Sequence, residues 1–96
     1  MIVSQTETKQ GLLVTVCDQG ILGQTFEDGN VSITVSEDFY GGDIADPDEV
    51  KALLDKATIG NLVGTDCIAL AIEEGYVDEE NVLDIESTRH AQFLRL

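Results

Sequence analysis

Arg89-His90-Ala91-Gln92 brings a guanidinium, an imidazole and an amide into four consecutive residues of a 96-residue chain. Arg89 and Arg95 are its two arginines and His90 its one histidine. Such N–H donors, gathered in space, can grip a phosphate, a carboxylate or an exposed backbone edge. Read as a strand, HAQFLRL (90–96) places His90, Gln92, Leu94 and Leu96 on one face and Ala91, Phe93 and Arg95 on the other, with Arg89 at the preceding turn. The architectural alternative is a histidine that locks a last hairpin, beside a surface ion pair of Arg89. Exposed ion pairs contribute only about 0 to 1 kcal/mol, which favours a recognition role for Arg89 over a stabilising one.

Phe39-Tyr40-Gly41-Gly42 forms a second constellation. Paired glycines permit positive φ and close backbone approach, and the neighbouring rings can stack on a ligand. The alternative is one ring plugging the core while the glycines turn the chain out of a strand. In Gly60-Asn61-Leu62-Val63-Gly64, Asn61 and Gly64 form a third candidate, set against tight packing and a pinned helix end. Cys17 and Cys67 lie in apolar surroundings and read as buried thiols, with a Cys–His pair to His90 as a minor alternative. Two cysteines and one histidine lack paired zinc spacing, and the acids of GGDIADPDE do not follow the calcium-loop order. Phosphate-binding glycine loops and nucleophile elbows are absent, so no catalytic residue, metal or cofactor is expected.

The composition sets the environment. Nineteen acids against five lysines and arginines give a net charge of −14. The acids are dispersed rather than blocked, which fits a solvated surface screened by counterions, as in a halophilic, salt-rich cytoplasm. In such salt, a negative net charge argues only weakly against a nucleic-acid partner. The longest apolar run, CIALAI (67–72), is far short of the roughly 18 residues of a membrane span. The start MIVSQTETK does not resemble a secretory signal, so a cytoplasmic location with reduced thiols is expected.

These candidates need elements to hold them. IVSQTET (2–8) and LLVTVCD (12–18) read as a hairpin turning at Gly11, and VSITVS (31–36) as a half-exposed strand after the Asp28-Gly29 turn. The segment 36–45 reads as a loop. Asp46, Pro47 and Glu49 start a helix whose Val50, Leu53, Leu54 and Ala57 share a face. Residues 58–64 suit either a helical turn or an extended link. Thr65 can cap a second helix that Gly75 ends, and VLDIE (82–86) with HAQFLRL makes a closing hairpin. Three strands, two helices and two strands give one α+β domain over residues 1–96. The expected architecture is a two-layer sandwich of an antiparallel sheet on two helices.

MIV, VCD (16–18), SEDFYGGD (36–43), NLVG (61–64), AIEEGYVDEENV (71–82) and HAQFLRL closely resemble a small archaeal family, the domain of unknown function 424. The resemblance spans essentially the whole chain. It implies a compact cytosolic α+β protein without an established activity. Ser87-Thr88 departs from the glycines of that family's last turn. The expected function is a non-enzymatic module for a macromolecular partner, a protein or ribonucleoprotein, associated with translation or the ribosome. No membrane or DNA-binding motif points elsewhere. The alternatives are a small-molecule or phosphate-binding protein or enzyme using Arg89, His90 and the 39–42 loop, and a structural homodimer.

Overall fold

The computed structural model describes residues 1–95. The chain runs β1 (Ile2–Thr8), β2 (Gly11–Cys17), β3 (Thr25–Asp28), β4 (Val31–Thr34), α1 (Glu37–Tyr40), β5 (Asp43–Ile44), α2 (Pro47–Lys56), β6 (Ile59–Val63), α3 (Thr65–Glu73), β7 (Leu83–Ile85) and β8 (Thr88–Leu94). A 3-10 turn at Glu79–Asn81 precedes β7. Six strands form one sheet in the order β5-β1-β2-β6-β8-β7, while β3 and β4 form a separate hairpin.

The α+β class holds, with several differences in the strands, among them the edge strand β5 inside the expected loop. The sheet is mixed, because β6 lies parallel to β2 while its other pairings are antiparallel. The ambiguous segment 58–64 supplies that central strand. The expected third strand ends at Thr34 and pairs with β3 outside the main sheet. Within the expected loop, Ser36 starts a one-turn helix by accepting from the Phe39 amide at 3.3 Å.

α2 begins as its sequence requires, with Asp46 and Glu49 exchanging both capping-box bonds at 2.9 and 3.1 Å. α3 is capped differently from expectation. Gly64 is the N-cap, and the Asp18 carboxylate reaches across from the end of β2 to accept from the amides of Asp66 and Cys67, both at 2.9 Å. Gly64 has φ +127°, and a Cβ there would collide with that carboxylate. Gly75 (φ +82°) ends α3 as expected: its amide bonds Ile72 and that of Tyr76 bonds Ala71, which satisfies two orphan carbonyls.

Alternation divides the sheet into two faces. Val3, Val14, Val16, Leu62 and Ala91 point to one side, where Val50 and Leu54 of α2 and Ile68 and Ala71 of α3 close the main core. Each valine, leucine or isoleucine among them that is fully removed from water stabilises by about 1.5 to 3 kcal/mol. Ile2, Cys17, Val63 and Ile85 point to the other side and meet Phe26, Val35 and Tyr40 from the hairpin and α1. This smaller cover reaches only one end of the sheet and leaves the other end of that face open.

Candidate functional site

Strand register aligns a row of polar side chains across the second face. Ser4 of β1 stands opposite Thr15 of β2, Thr15 opposite Asn61 of β6, and Asn61 opposite Gln92 of β8. The Ser4 and Thr15 hydroxyls are 2.5 Å apart, and the Thr15 hydroxyl also donates to the Phe39 carbonyl at 3.2 Å. The Tyr40 hydroxyl donates to Asn61 Oδ1 at 2.5 Å, and His90 Nε2 lies 3.1 Å from the same oxygen. An amide oxygen cannot donate, so Nε2 carries the imidazole proton and Nδ1 is the ring's acceptor. Asn61 Nδ2 completes the set toward Gln92 Oε1 at 3.5 Å.

On the open side of this row stand Thr6, Leu13, Ile59 and Leu94, in register across the same strands. Leu13 and Ile59 are half-buried, and Leu94 is 60% exposed. On the covered side, Ile2, Cys17 and Val63 lie beneath the hairpin and α1. Burial lowers the His90 pKa, so the ring is neutral near pH 7. Burial likewise pushes Tyr40 up to about 12, aided by the nearby thiols of Cys67 and Cys17. Among the described residues, no charged side chain stands on this face of the six strands: Glu7, Asp43, Asp84 and Arg89 all point to the other side by alternation.

The structure therefore unites Tyr40, Asn61, His90 and Gln92, four of the sequence candidates from three distant segments. Phe39, a residue 40% exposed, joins at the edge with its ring edge-on to Tyr40 and centroids 4.9 Å apart. Gly41 and Gly42 serve close approach without positive φ: a Cβ on Gly41 would strike the Glu37 carbonyl and one on Gly42 the Val3 carbonyl. Gly64 serves the α3 cap instead of this site. Arg89 is separated from the cluster. β8 begins at Thr88, two residues earlier than expected, so Arg89 is a strand residue that alternation turns away from His90. There it bonds Asp84 Oδ1 at 2.7 Å and the Glu79 carboxylate, and these hold the guanidinium protonated. Leu96, expected on the His90 face, lies outside the described residues.

Ser4, Thr15 and Asp18 were not singled out in the sequence. The signal for the first was the alternation Ile2, Ser4, Thr6, Thr8, which marks a hydroxyl-bearing strand face. The cysteines are free and buried. Cys17 and His90 sit on opposite flanks of Val63, roughly two strand spacings or 9 to 10 Å apart, and Cys67 lies in the core under the helices while His90 points to the other face, which overturns the Cys–His alternative for both thiols. Among the described residues no three His, Cys, Asp or Glu converge on a metal site. Chemically the cluster is a neutral hydrogen-bonding surface. Its amide oxygen is occupied by two donors, while the exposed Gln92 amide and the imidazole Nδ1 retain capacity.

A family model described as "Protein of unknown function (DUF424)" matches residues 5–96. The chain belongs to the DUF424 family. This agrees with the resemblance carried by the motifs from VCD to HAQFLRL. The fold of this DUF424 member is shared by an uncharacterized conserved protein from Methanopyrus kandleri, with a TM-score of 0.78. The two are 18% identical, and the match covers 99% of this chain and 92% of that one. No curated protein matches the chain. Among the described residues no helix is long and apolar enough to cross a membrane.

Proposed function

We propose that this DUF424 protein is a non-enzymatic binding module of a salt-rich archaeal cytoplasm. Its open, uncharged sheet face docks a macromolecular partner, a protein or ribonucleoprotein of the translation machinery. The observation that carries the reading is the distribution of charge. In a chain with 19 acids, one broad face of the main sheet holds none, and its open end exposes Leu94 and Gln92 beside half-buried Leu13 and Ile59. Acids cost nothing on a face that stays in water, and they oppose burial beneath a partner. The polar row supports binding more than chemistry. His90 and Tyr40 are neutral and share one acceptor, among the described residues no carboxylate bonds either of them, and the thiols near Tyr40 are buried.

The convergence of Tyr40, Asn61 and His90 also favours a second reading, a small uncharged ligand held against the row. The phosphate version of that reading loses its main support, since Arg89 is committed to Asp84 and Glu79 on the opposite face.

Leu94→Glu and Ala52→Glu test the docking face, the first on the open sheet end and the second on exposed α2. Tagged protein is recovered from its native host, and co-purifying species and melting temperatures are compared. Leu94→Glu should lose a species that Ala52→Glu keeps, with both melting like wild type. The opposite pattern places docking on the helical side and overturns the proposal. The halophilic setting is tested separately: melting should rise by several degrees between dilute and molar KCl, and a flat response removes it.

A further inference from the structure

The cations without an internal acid partner gather at one end of the sheet, beside the open face, with Lys56 and Arg95 on its helical side. Lys51 pairs with Asp48 at 3.4 Å and approaches Glu74, and Arg89 is held by Glu79 and Asp84. Among the described residues, Lys9, Lys56 and Arg95 make no ion pair. Lys9 lies in the β1–β2 turn, Lys56 ends α2 and Arg95 follows β8. Backbone bonds tie these segments together, from Thr58 N to Leu12 O at 2.9 Å and from Arg95 N to Thr58 O at 2.8 Å.

Lys9 is the chain neighbour of Gln10, which with Lys56, Thr58, Leu94 and Arg95 among others lines a groove of about 620 Å³. Its one carboxylate, Asp55, accepts from the Tyr76 hydroxyl at 2.5 Å. Arg95 is held in place: one guanidinium nitrogen donates to the carbonyls of Leu54, Asp55 and Ala57 at 3.0 to 3.3 Å. The guanidinium also lies 5.0 Å from the Phe93 ring centre and 5.7 Å from that of Tyr76. A second recess, lined by Gln10, Ile59, Gln92, Phe93 and Leu94, shares Gln10 and Leu94 with the groove and leads onto the open sheet face.

We propose that this continuous surface binds single-stranded RNA, with backbone phosphates at Lys9, Lys56 and Arg95 and bases on the sheet toward Gln92 and Phe39. The proposal rests on the open face being the docking surface, and it names the partner's chemistry. Cations at the end supply the sequence-independent attraction. An exposed aromatic edge and a free amide offer stacking and base-edge contacts, the usual means of holding unpaired bases. An acidic peptide would satisfy the lysines without the run of stacking bases that unpaired RNA offers. Exposed Glu37 and Asp38 precede Phe39 on α1 and Asp55 lines the groove, so the phosphate contacts fall at the end of the sheet away from α1. The molecule measures 33 × 27 × 27 Å, and charges farther than about 8 Å away are largely screened at physiological ionic strength.

Fluorescence anisotropy of a labelled oligouridylate, followed across a KCl titration, tests this. Three phosphate contacts on a single strand predict a log–log salt slope of about −2. Lys9→Gln with Lys56→Gln should bring the slope to about −0.7 and weaken low-salt affinity roughly tenfold or more. Lys51→Gln, whose lysine is already paired, should behave as wild type, and circular dichroism checks the fold of each variant. Absence of oligouridylate binding, an unchanged slope in the double variant, or equal binding of polyglutamate overturns the proposal. If RNA fails while Leu94→Glu still loses its co-purifying species, the docking face stands with a protein on it. If both fail, the face itself is misassigned.

Discussion

The two faces of the sheet are built from the same strands, yet they solve opposite problems. On the helical side Val14, Val16 and Leu62 are fully buried under α2 and α3, and the charges on the strands stand at its margins. On the other side charge is excluded although half the face meets water, and four strands contribute hydroxyl or amide groups in register. A face shaped only by solubility would carry acids at Thr6, Gln92 and Leu94, as the rest of this surface does. The difference separates a face that stability shaped from the one proposed here for contact.

The largest test of this contrast compares two leucines. Leu62 is fully buried at the helix interface, so Leu62→Ala should cost about 2 to 5 kcal/mol and lower the melting temperature by more than about 10 °C. Leu94→Ala, on the open face, should stay within about 0.5 kcal/mol of wild type. Equal losses would mean that Leu94 is core and that the face is not open.

A smaller effect is expected at the boundary between the two regimes. Asn61 accepts from Tyr40, which is 5% exposed, so Asn61→Ala strands a buried hydroxyl and should cost about 1 to 3 kcal/mol. Tyr40→Phe combined with Asn61→Ala should cost less than the sum of the two, because the stranded donor is gone. Strict additivity in chemical denaturation would show that the bond contributes nothing.

Much of this was legible beforehand because it is local. The Gly11 turn, the Asp46 capping box, the Gly75 stop and the terminal hairpin each follow from neighbouring residues, and each is present. The parallel strand β6 was not legible. Its five residues carry two unusual strand members, Gly60 and Asn61, and its β2 partner is separated by two hairpin strands, two helices and an edge strand. Gly60 makes sense only once Phe93 is seen covering it, since a Cβ there would strike the ring. Asn61 likewise reads as a cap until Tyr40, His90 and Gln92 surround it. The placement of Arg89 turned on where a strand begins, and a shift of two residues was enough to move it from the His90 surface to the opposite one.

The next comparison is between pH values. Burial lowers the folded-state pKa of His90 below its unfolded value near 6.5. The unfolded chain therefore takes up the proton first as pH falls. The stability that depends on the neutral ring is fully present above about pH 6.5 and is lost as pH drops through that value toward the lower folded pKa. His90→Gln removes this component, so the difference in stability between wild type and variant should shrink from pH 7 toward pH 5. Using the difference cancels the carboxylates, which titrate in both proteins. A difference that grows on acidification would mean that the folded state stabilises the charged imidazole.

The smallest effect is expected at Arg89. From sequence it was the favoured recognition residue, and its removal was expected to weaken partner binding. In the structure it bridges Glu79 and Asp84 at the exposed end of the helical side, away from the uncharged face. Exposed pairs are weakened by salt, because ions screen the attraction that holds them. Arg89→Ala should therefore lower the melting temperature slightly in dilute buffer and leave it unchanged in molar KCl. Binding of the species lost by Leu94→Glu, and of oligouridylate, should be unaffected. Lys56→Gln should show the reverse, with melting unchanged and RNA binding weakened, since among the described residues its ammonium has no acid to lose. If Arg89→Ala abolishes binding while Lys56→Gln is silent, the contact surface lies along β7 and β8 on the helical side. The uncharged face would then need another explanation.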